Sequence, residues 1–210
     1  MNEAVIFLKR LFFNPKIFFV RYVTYGTRPS YFPVLALIIG ISSAMDRIDR
    51  RLMQLDTKGK IDSAGAINEW LGYWVIAFIA GGIGAIFLYY IGGWIFNLRV
   101  KWSGGTDDLY KSRELYVYSS FVSSVCALIA TVILTIGNER PYMPDDFSIF
   151  DVIAFILICA SLVYSFRVAY IGVIATTGAI PKKAMLWFII IPAILYTLAV
   201  ILMSSLALLS

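Results

Sequence analysis

Apolar residues in this chain fall in long runs rather than in alternation. Five runs approach the roughly 20 residues a helix needs to cross a bilayer. They cover 33–45 (short, and continuing through Ile48 and Leu52), about 70–97, 114–136, 151–173 and 185–209. Short alternating strands, the signature of a membrane barrel, are absent. The pattern predicts an all-α fold: a polytopic integral membrane helical bundle with five transmembrane helices. Each helix is expected to run unbroken except the last, where Pro192 removes a backbone donor and introduces a kink.

Residues 1–30 follow another pattern. Val5, Ile6, Leu8, Leu11, Phe12 and Phe13 are apolar, Lys9, Arg10 and Lys16 are basic, and Asn14-Pro15 marks a turn. These runs are too short to cross. Basic, aromatic, amphipathic segments of this kind lie in the interface plane, so 1–30 reads as an N-terminal interfacial amphipathic helix and 31–210 as the five-span domain. The competing reading is a tail helix packed on the bundle.

Composition agrees: 60% of residues are hydrophobic, 15% are charged, and mean hydropathy is +0.81. Soluble domains carry nearer a quarter charged. The chain has no histidine, which removes the commonest general base and metal ligand. Cys126 and Cys159 sit mid-run and read as small buried packing residues. The start has its basic residues after its first apolar run, unlike a signal peptide. Lys and Arg near the span ends favour the N-terminus inside: Lys9, Arg10, Lys16, Arg99, Lys101, Lys182 and Lys183 are all on that side. The first outer loop weakens this, because Arg47, Arg50 and Arg51 lie there, interleaved with Asp46 and Asp49. Five spans then place the C-terminus outside. Trp70 and Trp74 mark the outer end of the second span, and Trp94 and Trp102 its inner end.

Five glycines lie within 81–93. A dinucleotide fingerprint fails, since Phe87 stands where the third glycine is needed. Small residues four apart instead form a helix-packing seam. Ala77, Gly81, Ala85 and Gly93 share one register, interrupted by Tyr89, and Ala80, Gly84 and Gly92 share the adjacent one. The seam meets another span of the chain or a second copy. A broken helix lining a cavity is the third reading.

Arg167 is the basic residue clearly inside a span, with Tyr164 and Tyr170 three residues to either side on the same face. A charge at depth is a functional candidate, and a long stem that snorkels to the headgroups is the alternative. Asp151 and Glu114 begin spans four and three, where acids complement the helix dipole. Ser120 and Ser124 read as hydroxyls bonding their own helix backbone. No catalytic set emerges, and no cofactor, metal or nucleic-acid partner is expected.

Three stretches carry a resemblance. The N-terminal "FFNPKIFF", the segment "GGWIFNLRVKWSGG" leading into "SRELYVYSS", and "GVIATTGAIPKKAML" resemble the Yip domain family of Ypt/Rab-interacting membrane proteins, in its bacterial branch. Gly104 and Gly105 belong to the double-glycine loop of that resemblance. Two departures stand beside it. "DLY" at Asp108–Tyr110 lies between spans and is not followed by Gly-Pro, and no proline occurs early in span three. The resemblance implies a membrane-embedded helical bundle of undefined biochemical role. The small-residue seam, the basic inner face and the missing catalytic set add the expectation of a non-enzymatic bacterial inner-membrane protein that works through helix packing and partner or lipid contacts. Anionic headgroups on the inner face, a membrane-protein partner or a second copy are the implied partners. Eukaryotic relatives engage small GTPases and trafficking machinery, and some bacterial relatives accompany export systems. A small solute or ion transporter with Arg167 on its path is the alternative.

Overall fold

The computed structural model describes residues 3–26, 29–143, 148–198 and 201, and among them every regular element is helical. The elements are α1 (Glu3–Phe13), α2 (Pro15–Phe19), α3 (Phe32–Thr57), α4 (Trp70–Phe87), α5 (Gly93–Trp102), α6 (Leu109–Gly137), α7 (Ile149–Thr177) and α8 (Pro181–Met185). A π turn at Leu88–Gly92 joins α4 to α5, and another at Leu186–Ile190 extends α8 into a helix that runs to Leu198. A third π turn, Val20–Thr24, follows α2, and a 3-10 segment, Ile61–Asn68, precedes α4. The predicted end of the fifth run lies outside the described residues.

Four helices are long and apolar enough to cross a membrane: Trp70–Trp102, Leu109–Gly137, Ile149–Thr177 and Pro181–Leu198. The first predicted span does not join them. Its helix α3 is 26 residues long, but Asp46, Arg47, Asp49, Arg50 and Arg51 occupy its second half. The helix ends follow local chemistry. Asp108 caps α6, its carboxylate accepting from the Lys111 N–H at 3.0 Å. The expectation that Glu114 begins this helix is therefore corrected: Glu114 is buried inside it. Ser148 and Asp151 form a reciprocal capping box on α7, and Gly178 ends that helix in the left-handed conformation, φ 68°.

The second predicted span is one continuous helix over Trp70–Trp102, though a π turn lies inside it and another precedes Pro192 in the last helix. Two further sequence readings are corrected. The cysteines are not both buried: Cys126 is half-buried and Cys159 is exposed. On α6 the serines that donate to the helix backbone are Ser119, to the Leu115 carbonyl, and Ser123, to that of Ser120, rather than Ser120 and Ser124.

The interior has two centres. One, between the C-terminal part of α3 and the N-terminal part of α4, gathers Ile41, Met45, Leu52, Tyr73 and Ala77. Tyr73 donates to Asp49 (2.9 Å) and Tyr142 to Asp56 (3.0 Å), fastening α4 and the α6–α7 connection to α3. Burial and that donation push the Tyr142 phenol up to about 12, so it stays protonated and donating at neutral pH. The other centre is larger and surrounds Tyr118. It includes Phe7, Leu11, Phe18 and Phe19 from the N-terminal helices. The apolar face of α1 is thus packed on the bundle, as in the competing reading, while Val5, Leu8, Phe13 and Ile17 remain exposed.

Candidate functional site

The small-residue register on α4 meets α3. Ala77 and Gly81 are buried. A Cβ added to Gly81 would sit 2.5 Å from the Ile41 Cα and 2.7 Å from its nitrogen. Reciprocally, a Cβ on Gly40 would overlap the Gly81 carbonyl oxygen and come within 2.8 Å of the Ala85 nitrogen. Backbone lies against backbone here, which only glycine allows.

Below Phe87 the seam changes partner. A π turn spends more residues per turn than an α-helix, so Leu88–Gly92 rotates the following face. Gly92 then lies under the Tyr116 ring, and Gly93 under Arg113, both on α6. The single seam drawn from the sequence is two seams offset by the π turn. Gly84 lies in neither; an added Cβ there would meet only the Gly40 oxygen, at 3.9 Å. Arg113 stacks over Tyr90 (4.7 Å) and Tyr89 (5.5 Å).

The double-glycine loop has a conformational reason. Gly104 adopts φ +77°, and a Cβ on Gly105 would lie 2.7 Å from the Thr177 hydroxyl oxygen. The Thr106 N–H donates to the Thr177 carbonyl and the Ile180 N–H to that of Ser103, so the α5–α6 and α7–α8 turns are sewn together. Beside them Asn97 donates to Asp107 (2.8 Å), Ser112 donates to Asn97 (2.8 Å), and Lys101 pairs with Asp107 (2.9 Å). The hydrogen bond from Asn97, then that from Lys101, holds the Asp107 carboxyl below the usual carboxylate range.

Sequence reasoning missed Arg99. Its Nε and Nη2 both donate to the Trp187 carbonyl, at 3.0 and 2.6 Å, and the guanidinium lies 4.4 Å from the Phe188 ring centre. Within the π turn the Ile191 N–H returns to the Leu186 carbonyl. The next such bond, to Trp187, would come from Pro192, which has no N–H. Arg99 supplies the missing donors and ties span two to the last span. Trp187 also packs against Trp102, ring centres 4.5 Å apart. Arg99→Met is expected to lower stability by about 1–3 kcal/mol, since it orphans a carbonyl. Arg99→Lys restores only part, lacking the fork. Thermal unfolding in detergent checks this, and an unchanged midpoint for Arg99→Met would refute it.

Arg167 is exposed on α7 and lines an opening of about 540 Å³ with Tyr164, Ile171 and the α1–α2 turn: Phe12, Phe13, Asn14, Pro15, Lys16 and Ile17. The Tyr164 hydroxyl donates to the Phe12 carbonyl. Farther along α7, the Phe19 ring rests on the bare backbone of Gly172, where a Cβ would approach within 2.8 Å. Tyr170 is not part of the opening; it packs against the Tyr118 core. The structure therefore joins Arg167 and Tyr164 to Lys16, about 150 residues earlier. Among the described residues no group of His, Cys, Asp and Glu could hold a metal ion.

The family model described as the Yip1 domain matches residues 9–203. No curated protein and no solved structure matches the chain.

Proposed function

The chain belongs to the Yip1 domain family, and on that premise we propose a non-enzymatic role at the membrane: a five-span bundle that presents a basic, aromatic inner face to lipid headgroups and to a protein partner, in trafficking or export. The observation that carries this is the N-terminal segment. It is bound to α7 through Phe12, Phe19 and Tyr164, yet leaves Phe13 and Ile17 exposed beside Lys16 and Arg167. Apolar side chains flanked by cations suit the interface plane. In this reading α3 crosses with its apolar half, and its charged half reaches the outer surface. Trp70–Trp102 spans about 50 Å at 1.5 Å per residue, well beyond a hydrocarbon core of about 30 Å. The surplus lies at the inner end, where Asn97, Ser103, Ser112 and Glu114 are buried together with polar neighbours. Helix ends standing clear of the bilayer offer a surface for a partner.

The transport reading needs polar groups from several spans converging on Arg167. Its opening is lined by one span and the N-terminal turn, so no observation favours that reading. Crosslinking in native membranes followed by purification is expected to return the same protein partner with the wild type, and to lose it with Lys16→Gln/Arg167→Gln. Purified protein in liposomes is expected to pass no solute. Solute flux by the protein alone, abolished by Arg167→Gln, would overturn the proposal in favour of a transporter.

A further inference from the structure

A cavity of about 950 Å³ runs between α3 and α4, from Arg47 and Arg51 at one end to Arg99 at the other. Along α4 and α5 it extends from Ala80 to Arg99, roughly 28 Å of helix. We propose that this groove is a binding site for one anionic phospholipid, its phosphate held by Arg47 and Arg51 and its acyl chains lying along the groove.

Shape supports this first. The groove has a floor of small residues, Gly40, Ala44, Ala80 and Gly84, beside a wall of Ile83, Phe87, Ile91 and Ile95. Gly40 is bare because the Gly81 backbone crosses it. Gly84 has no such reason, since its Cβ would meet nothing closer than 3.9 Å. Glycine weakens a helix, and at position 84 its effect is to leave the trough open. A trough lined mainly by apolar side chains along its length accepts extended hydrocarbon.

Charge supplies the second argument. Arg47 and Arg51 are four residues apart, on adjacent turns of one helix face. Both are exposed, and neither forms an ion pair among the described residues. Their neighbour Arg50 is neutralised by Asp46 at 2.8 Å. No Asp or Glu lines the groove. Two uncompensated guanidinium groups at the mouth of an apolar trough match an anionic oxygen cluster attached to hydrocarbon. A soluble anion would leave the trough unused, and a zwitterionic lipid would bring its own cation to the arginines. The site is separate from Lys16 and Arg167, so it stands or falls apart from the partner role proposed above.

The test uses the full chain, purified in mild detergent, stripped of lipid, and exposed to mixed micelles holding phosphatidylglycerol or phosphatidylcholine. Bound lipid is counted by native mass spectrometry. One phosphatidylglycerol per chain is expected to be retained, with phosphatidylcholine retained at least about tenfold less. Arg47→Gln/Arg51→Gln is expected to lower retention roughly 10- to 30-fold, and these exposed positions keep the fold. Gly84→Leu fills the trough and is expected to lower retention with little change in thermal unfolding. Lys16→Gln/Arg167→Gln is expected to leave it unchanged. Equal retention of both lipids would overturn the proposal, as would retention unaffected by the arginine pair. Loss with the arginine pair but not with a folded Gly84→Leu protein would also overturn it, placing the lipid on the surface outside the groove.

Discussion

Gly81→Leu is expected to destabilise the bundle by about 3–5 kcal/mol and to leave little monodisperse protein in detergent. The reason is the hardness of what the new side chain would meet. A Cβ alone would stand 2.5 Å from the Ile41 Cα and 2.7 Å from the Ile41 nitrogen. Neither atom belongs to a side chain that can rotate away; both are fixed by the hydrogen bonds of α3. The helices would have to separate along the whole crossing, and the contacts of Ala77, Ile41 and Met45 would loosen with them. In lipid, close approach of this kind is a main source of helix association. Gly82→Leu is the matched control, one residue along the same helix, where an added Cβ meets nothing within 4 Å. Unfolding midpoints of the two variants lying within about 1 kcal/mol of each other would refute the backbone contact as the determinant.

Tyr118→Ala is expected to cost about 3–5 kcal/mol and to release the N-terminal helices before the bundle opens. Tyr118 is fully buried. Its ring centre lies 5.1 Å from that of Phe18, 5.4 Å from Phe32, 5.9 Å from Phe7 and 6.4 Å from Phe19. One side chain on α6 therefore holds α1, α2 and the start of α3. Truncating it leaves an aromatic-lined cavity that three separate elements would have to shift to fill. The released segment carries Lys9, Arg10, Lys16 and Arg21, so trypsin should cut there at temperatures where the remaining helices are intact. Tyr118→Phe keeps the ring contacts and should stay protected. Equal protection of the alanine variant would mean that the segment is held by Tyr164 and Gly172 alone.

Much of this architecture was legible in the chain. Unbroken apolar runs marked the four long helices because a helix in lipid satisfies its own backbone and needs only apolar side chains outside. The four-residue spacing of Ala77, Gly81 and Ala85 marked a close approach. The partner was not legible, since nothing in "GGIGAIF" names Gly40. The π turn at Leu88–Gly92 was also hidden. It involves no proline and no charge, only leucine, tyrosines, isoleucine and glycine, and it re-aimed Gly92 and Gly93 onto α6. Arg99 reads from the sequence as a charge just past a span, because the second apolar run stops near Asn97, whereas the helix continues to Trp102. Its role depends on a donor missing from Pro192, far away in sequence. Arg167 and Tyr164, three apart on a helix, line one opening, while Tyr170, at the same spacing on the other side, does not. Lys16 joins them through a fold that no local pattern encodes. The Asp108 cap is legible in principle, as an acid just before a helix start.

The N-terminal segment also has a history in time. Phe12 accepts its hydrogen bond from Tyr164, and Phe7 and Phe18 pack on Tyr118. A ribosome adding about 5–20 residues per second reaches Tyr164 only some 8–30 s after Phe12. Through that interval part of the segment's apolar face, the Phe12 and Phe19 side destined for α7, has no seat. The adjacent membrane surface is the one place where such a face is sheltered. Under the proposed reading, lying in the interface and being docked on the bundle are successive stages of one biosynthesis, and this segment waits for helices made after it.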